Sequence, residues 1–284
     1  MRSVVFSNNA LDLTHQLWLL ALDNKLGAAP ACQPNAKVGR VLDVGTGTGI
    51  WALNFAEEHP EADVTGPDPM VLGNDLSAIQ PCFVLPNVRF EVDDVEEEWT
   101  YSQPFEYIHS RVMTSSISDW QLYLRRCYKN LKPGGYVELQ EIDLFAVSDD
   151  GTLTPENALS KWCKLLFEAS EKFGRPYIRV PSLKGMLSDA GFVDVTMSVY
   201  KWPSNGWPRA QKYKELGIWN NENMMAGLEA FSMAPLTRAH EWTREEVNVF
   251  LIDVRKDIHN RDVHAYWPIY CIIGRKPEKG ESKA

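Results

Sequence analysis

The sequence has few of the features that mark secreted or metal-binding proteins. Only five cysteines occur in 284 residues, at positions 32, 82, 127, 163 and 271, and no C-x-x-C pair is found. An odd number without paired spacing predicts neither a disulfide framework nor a zinc site, and it is typical of a reducing compartment. No set of three carboxylates or of His and Cys suggests another metal, so we expect a protein without a metal centre.

Long apolar runs and basic clusters are also missing. The longest apolar run near the amino terminus covers residues 17–22, which is too short for a secretory signal or a membrane span. The chain has 29 Lys and Arg against 38 Asp and Glu, a net charge of −9, without a dense basic cluster. Nucleic acids and anionic membranes need a basic face, so we expect neither as a partner. These absences together predict a soluble, cytoplasmic protein.

What is present is an alternation of strand and helix patterns. The 284 residues are enough for one large domain with an elaboration, and the 44% of hydrophobic residues predict a sizeable core. Such an alternation predicts an α/β domain with a mostly parallel sheet. The patterns predict helices over 9–26, 50–59, 120–131, 155–173 and 182–190, and strands over 40–44, 63–65, 88–92, 107–109, 136–142, 193–202 and 265–275.

Three glycines follow the first strand in "VLDVGTGTGIWAL", at Gly45, Gly47 and Gly49. A P-loop needs a Lys after its last glycine, and none follows here. A dinucleotide fingerprint, G-x-G-x-x-G, needs a third glycine where Ile50 stands. Asp43, at the strand end, would repel a pyrophosphate but attract an ammonium group. The pattern therefore favours S-adenosylmethionine, whose carboxylate the following helix start can face, with Thr46 inside the loop.

Further acids follow the next two strands. An acid after the second strand would hydrogen-bond the ribose hydroxyls, and both Asp68 and Asp75 are candidates from spacing. After the third strand, Asp94 is a candidate for the adenine amino group and Val95 for packing on the ring. The neighbouring glutamates are expected to be solvated.

Several stretches resemble one family closely. "RVLDVGTGTGIWALNFAEEHPEADV", "NDLSAIQP", "PNVRFEVDDVEEEW", "YIHSRVMTSSISDW", "LKPGGYVELQE" and "HAYWPIYCIIGRKP" resemble the fungal LaeA-like, or UMTA-type, class I methyltransferases, from about residue 11 to residue 277. The resemblance implies a Rossmann-like seven-stranded sheet with its last strand antiparallel, S-adenosylmethionine as cofactor, and a place in fungal secondary metabolism.

The resemblance also implies residue roles. It places Asp43 and the three glycines at the methionine end of the cofactor, and it gives the ribose role to Asp75, followed by Leu76. Asp94 and Val95 take the adenine role. His109 and Arg111 match the family's "Y-I-H-A-R" pattern after the fourth strand.

Two stretches depart from the family. Residues 67–73, "PDPMVLG", look like an insertion before the ribose acid, and a real loop there would let Asp68 replace Asp75. The stretch "MRSVVFSNNA" does not resemble the family's usual longer segment before the first helix.

Three side chains are candidates for catalysis at the carboxyl edge of the sheet. His109 ends the fourth strand, Glu141 lies at the end of the fifth, and His264 precedes the last strand, which starts at this edge. A histidine at a strand end is also commonly a structural residue, and Glu141 could anchor a neighbouring segment.

The expected organisation has four parts: a helical segment (1–35), a cofactor-binding core (36–202), a helical substrate lid rich in Trp, Phe and Met (203–262), and the last strand with a tail (263–284). We expect methyl transfer to a small, largely apolar fungal metabolite. Two alternatives stay open: a cyclisation or pericyclic reaction on the same fold, and a regulator of secondary metabolism, which could be nuclear. A homodimer or a protein partner is also left open.

Overall fold

A seven-stranded sheet forms the centre of the molecule. The computed structural model describes residues 8–60 and 70–281. The strands are β1 (Val41–Val44), β2 (Val71–Asp75), β3 (Val88–Val92), β4 (Phe105–Arg111), β5 (Leu131–Ile142), β6 (Val193–Pro203) and β7 (Tyr266–Arg275). Their order in the sheet is β3-β2-β1-β4-β5-β7-β6. Strands β1 to β5 are parallel, and β7 is inserted antiparallel between β5 and β6. The expected sheet, with its last strand antiparallel, is confirmed.

Within residues 8–60 and 70–281, seven α-helices surround the sheet. They are α1 (Asn8–Ala21), α2 (Ile50–Glu58), α3 (Trp120–Asn130), α4 (Ala158–Lys172), α5 (Ser182–Ala190), α6 (Gln211–Ala239) and α7 (Arg244–His259). None of them, in the part of the chain that is described, combines the length and apolarity needed to cross a membrane.

The second strand is not where the sequence placed it. β2 is Val71–Asp75, and it pairs with β1 and β3, whereas residues 63–65, where the second strand was predicted, lie outside the described residues. The chain repeats a similar pattern, "VTG" at 64–66 and "VLG" at 71–73, and a local pattern cannot choose between two copies. The last part of the supposed insertion 67–73 is therefore strand, whereas Asp68 lies outside the described residues.

Two boundaries also differ. Helix α1 ends at Ala21 rather than at residue 26, because Asp23 and Asn24 take left-handed backbone angles, φ 55° and 61°, that stop a helix. β5 begins at Leu131, so the predicted "KPGG" turn lies within the strand bounds, where the pairing with β4 is irregular and Gly134 has φ 78°.

The two faces of the sheet are covered differently. Helices α3 and α5 pack with alternate strand residues such as Leu42, Ile108 and Leu139 in one core cluster. Helix α2 packs on the opposite face against Val41 and Tyr107. The alternation of strand side chains thus sends Asp43, His109 and Arg111 to the α2 face.

Helices α6 and α7 form the stretch expected as a lid. They share a core cluster with α1 and α4 and with the ends of β6 and β7, through Trp202 and Trp267. The lid residues Met224 and Phe231 pack against this cluster, whereas Trp219 is 45% exposed. The insert is therefore helical and joined to α1. Its role as a substrate lid and the four-part division of the chain stay predictions.

Candidate active site

The glycine loop turns sharply between β1 and α2. Gly45, Gly47 and Gly49 have φ angles of 68°, 58° and 81°, which side-chain-bearing residues rarely adopt. A Cβ at Gly45 would meet Met113, and one at Gly49 would overlap the ring of Phe90. The loop therefore needs glycine for both its backbone angles and its packing.

Asp43 lies at the floor of this loop. It is 3% exposed, and its two oxygens have separate partners. Thr46 Oγ1 donates to Oδ2 at 2.6 Å, and His109 Nδ1 lies 2.7 Å from Oδ1. These contacts hold Thr46 next to Asp43 and fix the plane of the Asp43 carboxylate.

His109 is buried inside the sheet layer. It is paired in register with Asp43 on the neighbouring strand, and it is 0% exposed. Its ring stacks on Trp51 with centroids 3.8 Å apart and planes 6° apart, and its Nε2 has no partner among the described residues. This geometry positions Asp43 and leaves His109 no contact with solvent or a substrate in this conformation.

Asp75 ends β2 beside the glycine loop. Its Oδ2 accepts from the backbone N–H of Gly47 at 2.9 Å, and its Oδ1 accepts from Ser77 N–H at 2.9 Å. Gln80 Nε2 donates to the Gly47 carbonyl at 2.6 Å, and Leu76 is 58% exposed. The acid expected at the ribose therefore lies against the loop expected at the methionine part.

The adenine candidates lie after β3. Asp94 Oδ1 accepts from Glu96 N–H at 2.9 Å, which closes a local turn. Val95 is 9% exposed, and its carbonyl accepts from Trp99 Nε1 and from Arg126. Val95 also lines a small cavity, of about 50 Å³, together with Glu96, Ile117, Ser118, Asp119, Leu122, Tyr123 and Arg126. Both candidates are placed at the same edge of the sheet as Asp75.

Glu141 is placed differently from the expectation. It is 0% exposed, and its carboxyl group accepts from the backbone N–H groups of Met113 and Thr114 at 2.9 to 3.2 Å. Burial raises its pKa to about 8, and these hydrogen bonds offset part of that shift. Glu141 holds the segment that follows β4, and it has no open path to a substrate here.

His264 is the catalytic candidate with an accessible side chain. Its Nδ1 lies 2.5 Å from Asp150 Oδ2, its side chain is 38% exposed, and its ring lies near Trp207 with centroids 4.7 Å apart. The hydrogen bond to His264, followed by those from Thr152, lowers the pKa of Asp150 to about 2. A carboxylate on Nδ1 fixes the tautomer with its lone pair on Nε2, which suits a proton acceptor.

Helix α1 contributes residues that sequence reasoning missed. Asp12 Oδ1 accepts from Thr48 Oγ1 at 2.7 Å, and Leu11 lies next to Gly47. His15 lies 3.0 Å from both Asn54 Nδ2 and Arg111 Nη1. These contacts join segments far apart in the chain, which local patterns do not report. The polar residues of α1 were the only sequence feature that could have indicated them.

The residues present fit S-adenosylmethionine. A buried carboxylate suits an ammonium group, a second carboxylate follows the next strand, and glycine backbone with left-handed angles lies between them. Among the residues that the structure describes, no group of three His, Cys, Asp or Glu could hold a metal ion. The individual contacts to the cofactor stay predictions.

Comparison with known proteins also indicates a methyltransferase. Residues 14–197 match the family described as a methyltransferase domain. The chain is 40% identical over 267 residues to methyltransferase pytC of Aspergillus terreus, covering 94% of this chain and 80% of the relative. It is 37% identical to the probable methyltransferase tdiE of Emericella nidulans, covering 94% and 81%.

Regulatory proteins and a solved structure are also similar. The chain is 36% identical to the secondary metabolism regulator LAE1 of Cochliobolus heterostrophus, covering 95% of this chain and 87% of the relative. The structure of the cyclopropane synthase MmaA2 from Mycobacterium tuberculosis matches with a TM-score of 0.54 at 16% identity, over 92% of this chain and 84% of that one, which shows the fold. The chain belongs to the methyltransferase domain family and is a class I S-adenosylmethionine-dependent methyltransferase.

Proposed function

We propose that this protein transfers a methyl group from S-adenosylmethionine to a small, largely apolar metabolite of fungal secondary metabolism. The observation that carries the proposal is the floor of the glycine loop, where the buried Asp43 carboxylate is oriented by Thr46 and His109. The similarity to a fungal methyltransferase, at 40% identity over most of both chains, supports the same reaction class.

The chain's own residues have distinct roles in this proposal. Asp43 binds the ammonium group, Asp75 binds the ribose hydroxyls, and Asp94 with Val95 receives the adenine. The bound cofactor supplies an electrophilic methyl group. Since the nucleophile needs only alignment and, for some acceptors, loss of a proton, the protein must orient the acceptor and exclude water.

The helical insert supplies the apolar surroundings. Helix α6 contacts α1 through Asn223 and Thr14, and α1 reaches the glycine loop through Leu11. The Met and Phe side chains of α6 pack at this junction with α1 and α4. We therefore assign the acceptor site to the junction of the insert, α1 and the glycine loop, where these Met and Phe side chains suit an apolar molecule.

His264 is the proton acceptor that we favour, where one is needed. Of the three candidates, His109 and Glu141 are fully buried and bonded within the protein, whereas His264 is accessible and is oriented by Asp150. A base must reach the proton that it abstracts, so accessibility decides among them.

Product mass tests the proposal. The protein is incubated with trideuteromethyl S-adenosylmethionine and fractionated fungal metabolites, and products are followed by mass spectrometry together with S-adenosylhomocysteine. A labelled methyl group on the product, with equal release of S-adenosylhomocysteine, supports methyl transfer, and Asp43→Asn, which should bind the cofactor more weakly, should give less labelled product when the cofactor is limiting. A product isomeric with its precursor would instead support a cyclisation and contradict the proposal.

Regulation is a second candidate, because the chain is also 36% identical to a secondary metabolism regulator across 95% of its length. A regulatory function predicts that the protein binds a partner protein from fungal nuclear extract. It also predicts that the protein affects metabolite production even where it methylates no small molecule. Deleting the gene and profiling both transcripts and metabolites separates the two. Loss of one methylated product with unchanged transcripts favours the enzyme.

A further inference from the structure

Arg111 is a largely enclosed cation beside the candidate cofactor site. It ends β4, two residues beyond His109, whose register partner on β1 is Asp43. Its guanidinium lies 5.3 Å from the ring of Trp18. A charge in such a place normally has a partner of opposite sign, because burial without one is costly.

The direct partners of Arg111 are all neutral acceptors. Nε donates to Gln140 Oε1 at 2.8 Å, Nη1 lies 3.0 Å from His15 Nδ1, and Nη2 donates to the Leu26 carbonyl at 3.4 Å. Within residues 8–60 and 70–281, no carboxylate oxygen lies within 4.0 Å of its nitrogens. A guanidinium has five N–H donors, so two remain beyond these three contacts, one on each terminal nitrogen.

His15 does not supply the missing negative charge. Burial, with the nearby Arg111 and His109, lowers its pKa to about 3, so its imidazole is neutral at physiological pH. Its Nδ1 faces an N–H group of the guanidinium and must accept a hydrogen bond from it. His15 therefore orients Arg111 without neutralising it.

Burial lowers the pKa of Arg111 to about 10, and the charges of Asp43 and Glu138 offset part of that shift, but the hydrogen bonds of both acids go to groups other than Arg111. Asp43 holds Thr46 and His109. Glu138 accepts from the backbone N–H of Ala29 at 2.8 Å and from Tyr107 Oη at 2.9 Å. Arg111 is thus left with a free pair of donors, next to a strand end that presents a carboxylate.

We propose that Arg111 binds the α-carboxylate of the methionine part of the cofactor, while Asp43 receives its ammonium group. The two residues lie on adjacent strands, and one unit of opposite charge on each complements an amino-acid zwitterion. Helix α1 completes this site, because His15 fixes the guanidinium and Leu11 lies over Gly47 four residues earlier. The inference rests on the proposed cofactor site and adds the residue that binds the carboxylate of the cofactor.

Calorimetry with two ligands tests this assignment. S-adenosylhomocysteine and its decarboxylated analogue, which keeps the ammonium group, are titrated into the wild-type chain and into Arg111→Gln. Wild type should bind S-adenosylhomocysteine roughly ten- to hundredfold more tightly than the analogue, as expected for a charge-assisted pair. In Arg111→Gln this preference should shrink to about threefold or less, and the exposed α3 variant Arg125→Gln should keep it.

The outcomes are distinct. If wild type binds neither ligand, the cofactor site itself is wrong. If wild type binds both with equal affinity, or if Arg111→Gln keeps the full preference, the cofactor site stands and the role of Arg111 is overturned. Circular dichroism checks the fold of the variant, and Arg111→Lys, which keeps the charge, provides a second variant that should retain an intermediate preference.

Discussion

Asp43 and His109 lie opposite each other on adjacent parallel strands, with His109 Nδ1 2.7 Å from Asp43 Oδ1. Trp51 stacks on the imidazole of His109, and Thr46 of the glycine loop donates a hydrogen bond to the carboxylate of Asp43. A carboxylate held at two points in a buried place is prepared to receive a cation without reorganisation.

Replacing Asp43 by Asn should weaken cofactor binding. The change keeps the size of the side chain but removes the negative charge that faces the ammonium group, so we expect a loss of roughly 1–3 kcal/mol in binding free energy. Isothermal titration with S-adenosylhomocysteine measures it. The exposed α5 variant Asp189→Asn is the matched control, and equal affinity of the two variants would contradict the assignment.

Gly49→Ala should destabilise the fold through Phe90. The new Cβ would sit at a left-handed φ of 81° and overlap the phenyl ring. Gly174→Ala is the control, since its φ is 71° and nothing lies within 4 Å of the new Cβ. We expect Gly49→Ala to cost roughly 1–3 kcal/mol more than the control in urea unfolding, and adding Phe90→Ala to recover part of that excess. Equal costs would show that backbone strain alone acts.

Glu141 should make stability fall as the pH rises. Burial raises its folded-state pKa from 4.5 to about 8, so between these values the folded chain holds a proton that the unfolded chain has released. The free energy of unfolding should therefore decrease from about pH 4.5 to about pH 8 and then level off.

Glu141→Gln should remove that slope. Urea unfolding at pH 5.5 and 8.5 compares the variant with wild type, and the exposed Glu171→Gln provides the control. We expect Glu141→Gln to gain stability relative to wild type by a few kcal/mol between the two pH values. A difference independent of pH would mean that Glu141 is ionised throughout.

His264→Gln should lower turnover without changing cofactor affinity. If Nε2 accepts the acceptor's proton, kcat should fall roughly 10²- to 10⁴-fold for acceptors that must lose a proton. Asp150→Asn should give a smaller loss, because the ring keeps its place but loses the carboxylate that fixes its tautomer. The measurements are steady-state kinetics and S-adenosylhomocysteine titration, and unchanged kcat would assign His264 a structural role.

The sequence predicted the sheet and the glycine loop because these depend on local patterns. Gly45, Gly47 and Gly49 follow an apolar strand at once, and the alternation of strands and helices dictates a parallel sheet. The position of β2 was not predicted because two similar tripeptides, at 64–66 and 71–73, give the same local pattern.

The catalytic candidates show what local patterns miss. His109 was expected at a strand end, but β4 continues to Arg111, which leaves His109 inside the sheet beneath α2. Glu141 points to the opposite face, where it meets the backbone after β4. The roles of His15 and Arg111 arise from a contact 96 positions apart in the chain, which no periodicity reports.

The most direct test of the account is a crystal structure of the protein with S-adenosylhomocysteine. We predict the ammonium group at Asp43, the carboxylate on the guanidinium of Arg111, the ribose hydroxyls at Asp75 and the adenine beside Asp94 and Val95. A ligand bound away from the glycine loop, or with its amino-acid end turned from Asp43 and Arg111, would contradict it.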